Sequence, residues 1–142
     1  MHANADEAAT LLRWPRGYHC TQLARALCDA TGAACVVVTD GSNGASAAVA
    51  SDPSRLSSSS LKWPANDLKA VASLPGPPGV AANSNGAGDA FFAAFAASTA
   101  LHDATLDEAL AVANEVAHAR VFDLPRRPLE EVVAGLRRSK TT

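Results

Sequence analysis

The run Ala34–Val38 constrains the fold of this chain more than any other stretch of its sequence. It is an apolar, β-favouring segment, too short for a helix and apolar on both faces, as expected of a buried strand in a parallel sheet. The segment before it, residues 18–31, carries apolar or small residues at helical spacing and ends at Gly32, a typical helix stop. Helices that alternate with buried strands predict a layered α/β fold.

Further helices and strands are predicted on both sides of this run. They are a helix over 5–12, strands over 46–50 and 68–74, and helices over 87–101, 105–122 and from Pro128 onward. Thr105 and Glu108 form a T-x-x-E capping box at the start of one of these helices. Residues 51–66, rich in serine and proline, predict a loop. We expect one domain, residues 1–142, in which helices flank an incomplete and mostly parallel sheet.

Composition narrows the class of protein. With 142 residues and 48% hydrophobic content, the chain can form a real core, which excludes general disorder. The net charge is −2 without a basic stripe, which argues against nucleic acid, and no apolar run approaches membrane-spanning length. The three cysteines and four histidines lack metal-ligand spacing. We therefore expect buried thiols in a reducing compartment, and a cytoplasmic protein without a membrane partner.

A glycine-rich turn, Gly86-Ala87-Gly88-Asp89, leads into an alanine-rich helix within the run NSNGAGDAFFAAF. Backbone N–H groups at a helix start lack intrahelical partners and carry the positive end of the helix dipole, so they can seat an anion such as phosphate. Asp89 would repel that anion, so a carboxylate at this position indicates a separate role, such as taking a proton from an attacking hydroxyl group. The plainer alternative is a capped helix with an acidic first turn.

Three motifs follow one another along the chain. They are N-x-x-E at Asn4 and Glu7, T-x-G-x-x-G at Thr39, Gly41 and Gly44, and N-G-A-G-D ending at Asp89. In this order they resemble the C-terminal half of the ribokinase-like (pfkB-type) carbohydrate kinase family, whose strongest signature is D-T-x-G-A-G-D before a phenylalanine-rich helix. The resemblance covers nearly the whole chain and implies a ribokinase-like layered α/β fold, of which this chain is the C-terminal portion.

The resemblance implies a catalytic role for the glycine-rich turn. Asp89 would be the base that orients and deprotonates a hydroxymethyl group of the substrate. The backbone of Gly86, Ala87 and Gly88 would form the anion hole. The phosphoryl donor implied is ATP.

The resemblance also implies a metal site. Asn4 and Glu7 match the family's magnesium motif, in which the acidic side chain acts mostly through water bound to Mg²⁺. The alternative is that Asn4 caps a helix and Glu7 is its first-turn acid. Asn83 replaces an aspartate that in many members helps a monovalent cation to bind, and the lost charge weakens the expectation of that cation.

Four further residues match nucleotide-binding positions of the family. Thr39, Gly41 and Gly44 correspond to a turn that lines the nucleotide, and Asn114 lies where a family helix passes the adenine. The alternatives are an ordinary turn at the exit of a strand and a surface asparagine on a helix.

The family's N-terminal half, with its glycine-pair motif, lid and most sugar contacts, has no counterpart in this sequence. We therefore expect a partial kinase domain with an exposed sheet edge, whose partner is a complementary N-terminal half or a second copy. The implied function is ATP-dependent phosphorylation of a hydroxymethyl group on a small-molecule sugar or nucleoside, with little activity in the isolated chain. Two alternatives stay open: a catalytically silent binding module derived from such a kinase, and an unrelated α/β domain that uses NGAGD only as a helix cap.

Overall fold

The structure, a computed structural model, describes residues 1–52 and 63–141. It divides into two compact units, Met1–Ala72 and Ser73–Thr142. Among the described residues, the first unit contains a four-stranded sheet with two α-helices, and the second contains three helices. Most of the loop predicted over 51–66 lies outside the described residues, which omit 53–62.

The first unit confirms the predicted order of helices and strands. Its elements are β1 (His2–Asn4), α1 (Ala5–Leu12), α2 (Cys20–Thr31), β2 (Cys35–Thr39), a short 3₁₀ turn (Gly41–Asn43), β3 (Ala45–Val49) and β4 (Leu68–Val71). Each element that the sequence predicts here is present, with bounds that differ by at most three residues. Strand β1 was not predicted, because three residues are too few to show a periodic pattern.

The sheet has the strand order β1-β2-β3-β4. Strand β1 runs parallel to β2, with Asn4 opposite Thr39, whereas the β2–β3 and β3–β4 pairs are antiparallel. The α/β class is confirmed, but the described strands form a mixed rather than a mostly parallel sheet. The short connection from β2 to β3 permits only a hairpin, because a parallel connection needs a crossover of a dozen or more residues.

The core of the first unit joins the sheet to α1 and α2. Leu23 and Leu27 of α2 belong to one buried cluster with Val36 and Val38 of β2. Four of the five residues of β2 are buried and only Thr39 is partly exposed, which confirms the expected strand with two apolar faces. This packing fixes the ends of β1 and β2, where two of the sequence motifs lie.

The three cysteines are free and buried, as expected from the sequence. Burial raises the pKa of the Cys35 thiol to about 12 and also raises the pKa of Cys28. Both thiols therefore stay protonated at neutral pH and pack as small apolar side chains.

The second unit consists, in its described part, of α3 (Ala87–His102), α4 (Leu106–Val121) and α5 (Leu129–Lys140). All three helices contact one another. The buried side chains of this unit include Phe91 and Phe95 of α3, Leu106 and Leu110 of α4, and the pair Val132–Val133 of α5. None of the helices in the described ranges is long and apolar enough to cross a membrane.

Helix α4 begins at the predicted capping box. The Thr105 hydroxyl accepts a hydrogen bond from the Glu108 amide at 3.2 Å, and Oε1 of Glu108 accepts one from the Thr105 amide at 3.0 Å. Glu108 also accepts a hydrogen bond from Nε of Arg137 on α5 at 2.8 Å. Its hydrogen bond with Arg137 is the main cause that lowers the pKa of Glu108 to about 2. The pair therefore joins the start of α4 to the end of α5.

Candidate functional site

The glycine-rich turn of the second unit is held by its own backbone and by Asn83. Oδ1 of Asn83 accepts a hydrogen bond from the Asn85 amide at 3.1 Å, and the Ser84 carbonyl accepts one from the Ala87 amide at 3.1 Å. Gly86, the N-cap of α3, has a left-handed φ of +74°, a conformation that favours glycine. Asn83, the predicted cation ligand, thus uses its side chain to shape the turn.

Backbone amides at the start of α3 lack hydrogen-bond partners in the described part of the chain. The first helical hydrogen bond runs from the Ala90 amide to the Gly86 carbonyl at 3.0 Å, and the Ala87 amide is engaged by Ser84. The amides of Gly88 and Asp89 have no hydrogen-bond partner among the described residues. The Gly86 amide also has no hydrogen-bond partner there, so among Gly86, Ala87 and Gly88, whose backbone was predicted to form the anion hole, only Ala87 has its amide engaged.

Asp89 lies in the first turn of α3 and is exposed. Gly86 is exposed as well, whereas Ala87 and Gly88 are half-buried. The position of Asp89 also suits the dipole of α3, so the structure accommodates the plainer alternative as well. Asp89 does not line either of the cavities described below.

A cavity of about 530 Å³ lies within the second unit. Most of its lining residues belong to α4 and to the segment 124–127 that follows it, and Leu74, Ala90 and Val132 complete the lining. Arg120, near the end of α4, lines this cavity and also lies beside Gly86. A Cβ atom placed on Gly86 would be 3.4 Å from Nη2 and 3.5 Å from Nε of Arg120. Arg120 was not predicted as a site residue, because a basic residue in the last turn of a helix is ordinarily explained by the helix dipole.

In the first unit, Asn4 and Glu7 form a capping box at the start of α1. Oδ1 of Asn4 accepts a hydrogen bond from the Glu7 amide at 2.8 Å, and Oε1 of Glu7 accepts one from the Asn4 amide at 3.0 Å. This is the helix-capping alternative for the N-x-x-E motif. Among the described residues, no group of three or more His, Cys, Asp and Glu side chains could hold a metal ion. A magnesium role for the motif therefore stays a prediction.

The structure brings the first two motifs together. Asn4 and Thr39 are register partners at the ends of the parallel strands β1 and β2. Oγ1 of Thr39 lies 3.1 Å from Nε2 of His2. Next to this edge is a cavity of about 400 Å³, lined by Asp6, Tyr18, His19, Asp40 and Asn43 among others.

The glycines of the T-x-G-x-x-G motif shape the turn between β2 and β3. Gly44 has φ +91° and ψ −153°, and a Cβ atom there would lie 2.3 Å from the Val71 carbonyl oxygen of β4. Gly41 also has a positive φ, +51°, but a Cβ atom there would meet nothing within 4 Å. The turn therefore has a structural reason for Gly44, and a nucleotide role stays a prediction.

The predicted site residues thus fall into two groups. Asn4, Glu7 and the T-x-G-x-x-G motif lie in the first unit. Asn83, the Gly86–Asp89 turn and Asn114, which is half-buried on α4, lie in the second.

Solved structures of ribokinase-like kinases share this fold. Phosphofructokinase-2 from Escherichia coli in complex with fructose-6-phosphate matches with a TM-score of 0.64 and 21% identity, over 96% of this chain and 39% of that chain. A pyrophosphate-dependent myo-inositol-1 kinase altered by mutation matches with a TM-score of 0.62 and 15% identity, over 94% and 40%. The sulfate complex of a pyrophosphate-dependent kinase in the ribokinase family matches with 0.60 and 14%, over 92% and 38%. The chain thus spans about two fifths of the length of these proteins.

The sequence pattern of the pfkB family carbohydrate kinases matches residues 1–124. The chain therefore belongs to the pfkB family of carbohydrate kinases. No curated protein sequence is similar enough to count as a match.

Proposed function

We propose that this chain is the C-terminal, phosphoryl-transferring part of an ATP-dependent kinase that acts on a hydroxymethyl group of a sugar or nucleoside. The observation that carries the proposal is the open turn at the start of α3. There, the unpartnered amides of Gly88 and Asp89 adjoin an exposed carboxylate. Family membership supports the class of reaction.

The mechanism requires charge neutralisation and alignment of the acceptor. The amides of Gly88 and Asp89 would bind the oxygens of the travelling phosphoryl group. Asp89 would take the proton of the acceptor hydroxyl as its oxygen bonds to the γ-phosphorus. The bond from that phosphorus to the bridging oxygen would break, and the electron pair would leave on ADP.

Mg²⁺ and the nucleotide would be held by the motifs at the ends of β1 and β2. Glu7 is exposed, and its capping box uses Oε1, so Oε2 is available to water around a magnesium ion. When bound, Mg²⁺ would offset negative charge on the phosphates. Thr39, Gly41 and Gly44 would line the nucleotide, as their match to the family motif implies, and a role for Asn114 beside the adenine is proposed from the same resemblance. Asn83 is uncharged and its side chain already accepts a hydrogen bond from the Asn85 amide, which weakens the expectation of a monovalent cation there.

The partners of the chain are proposed from its length. It covers about two fifths of phosphofructokinase-2, of which one solved form is tetrameric. We propose that a complementary N-terminal segment or a second copy completes the sugar site. The buried thiols are those expected of a protein that works in the reducing cytoplasm.

A catalytically silent nucleotide-binding or interaction module is the second candidate. Two observations favour it: Asn83 lacks the charge of the family's aspartate, and the side chains of both Asn4 and Glu7 serve a capping box. Such a module would bind nucleotide without transferring a phosphoryl group.

Replacement of Asp89 tests the proposal. In a mixture of the chain with the N-terminal part of a pfkB kinase, Asp89→Ala should lower the rate of ADP release by about 10²- to 10⁴-fold, because general-base catalysis accelerates reactions by about that factor. Calorimetric titration should show ATP binding unchanged. Asp107→Ala, which removes a first-turn acid from α4 instead, is the control and should retain activity.

Three results would count against the kinase. A loss of activity of only a few-fold with Asp89→Ala would show that Asp89 is not the general base. ATP binding without any ADP release, over a panel of sugars and nucleosides, would favour the silent module. Release of phosphate from pyrophosphate but not from ATP would replace the proposed donor.

A further inference from the structure

Arg120 is placed where the helix dipole does not explain it. It belongs to the last turn of α4, where a cation complements that helix, yet its guanidinium group lies beside Gly86 at the start of α3. The start of a helix carries partial positive charge, so a cation there is unfavourable unless an anion joins it.

We propose that Arg120 is the charged ligand of the phosphoryl group at the Gly86–Asp89 turn. The inference rests on the proposed function, which supplies the anion. It adds a guanidinium group to the open amides of Gly88 and Asp89, so that donors from two helices would bind one phosphoryl group.

No protein anion fills this role in the part of the chain that the structure describes. Arg120 makes no ion pair and no hydrogen bond there, and Asp89 is not within ion-pair distance of it. Glu115, the acidic residue that lines the same cavity, is bound to Arg127 at 2.8 Å. The guanidinium of Arg120 is thus free to receive a ligand.

The chemistry of the group fits phosphate. A guanidinium is planar, stays charged at any working pH and can donate two parallel hydrogen bonds to phosphate oxygens. The glycine at position 86 leaves room, because a Cβ atom there would already stand 3.4 Å from Nη2. A larger side chain would separate the guanidinium from the turn. Phosphoryl-transfer sites commonly use a cation of this kind to neutralise developing charge.

Titration of the ¹⁵N-labelled chain with inorganic phosphate tests the inference without requiring activity. The amide signals of Gly88 and Asp89 should shift as phosphate binds. Arg120→Gln should weaken that binding by about tenfold, the low end for a hydrogen bond to a charged group at an exposed position. Arg126→Gln is the matched control: it removes the same charge from the same cavity, but the three atoms nearest to a Cβ at Gly86 all belong to Arg120. We expect it to change the affinity by less than about twofold.

The outcomes separate the inference from the proposed function. If both variants bind phosphate as well as the wild-type chain, while the amides of Gly88 and Asp89 still shift, Arg120 is not a ligand and the phosphoryl seat stands. If these amides do not shift in the wild-type chain, the seat fails and the inference fails with it. Should Arg120→Gln not fold, the Nε–H signal of Arg120 in the wild-type chain decides: a shift with phosphate supports the role, and an unchanged signal overturns it.

Discussion

Loss of the ion pair between Glu108 and Arg137 should destabilise the second unit in a pH-dependent way. Arg137 donates to Oε2 of Glu108 at 2.8 Å, to Oε1 at 3.4 Å and to the His102 carbonyl at 2.8 Å. It therefore joins all three helices of the unit. Glu108→Gln removes the charge but leaves an oxygen for the capping box, in which Gln serves as well as Glu.

The magnitude follows from the pKa of Glu108. A change from 4.5 to about 2 corresponds to at most about 3 kcal/mol of stability, since one pKa unit equals about 1.4 kcal/mol. The Glu108 side chain is 11% exposed, but that of Arg137 is 45% exposed, so water screens the pair. We therefore expect Glu108→Gln to cost about 1–2 kcal/mol at pH 7.

The sign of the pH dependence is fixed by the direction of the shift. The folded-state pKa lies below the ordinary value, so the stabilisation is complete above about pH 4.5 and is lost as the pH falls towards 2. The difference in unfolding free energy between wild type and Glu108→Gln should therefore shrink over this range.

Urea unfolding at several pH values, followed by helical circular dichroism, measures this difference. Tryptophan fluorescence is unsuitable, because Trp14 and Trp63 both lie in the first unit. Glu115→Gln is the control: it breaks a more exposed ion pair with Arg127 and should cost no more than about 0.5 kcal/mol. A Glu108→Gln cost that stays constant from pH 7 to pH 2 would refute the reasoning, because the lost interaction would then not depend on the charge of Glu108.

Two further predictions concern the first unit. Gly44→Ala should destabilise it by about 3 kcal/mol or more, because the new Cβ would collide with the Val71 carbonyl in addition to the backbone strain, whereas Gly41→Ala should cost only about 1–2 kcal/mol. Tryptophan fluorescence during denaturant unfolding reports both, and equal costs would contradict the clash. Asn4→Ala should cost about 1 kcal/mol through the lost helix cap while Asn4→Asp costs little, as thermal unfolding would show; similar losses in both variants would mean that the cap does not stabilise α1.

Much of the fold could be predicted from the sequence because its signals are local. The apolar residues of β2, the helical spacing before Gly32 and the capping box at Thr105 each depend on neighbours a few residues away. The pairing directions of the sheet depend on more than local signals. The short connection after β2 indicates a hairpin, but the antiparallel pairing of β4 with β3 depends on contacts between residues that are distant in the sequence. Strand β1 is visible only through its pairing with β2, since three residues carry no pattern.

The candidate site was predictable only where its chemistry is carried by the backbone. The sequence of the Gly86–Asp89 turn predicts open amides, because the first amides of any helix lack intrahelical partners and glycines leave them accessible. Arg120 comes 34 residues after Gly86 and reaches the turn only through the packing of α4 against α3. Its proposed role depends on the start of α3, beside which its guanidinium group lies, whereas its sequence position indicates only the end of α4. Side chains that act at the start of a distant helix must therefore be sought in the packed structure. They are best recognised as cationic groups that lie beside the positive end of a helix dipole.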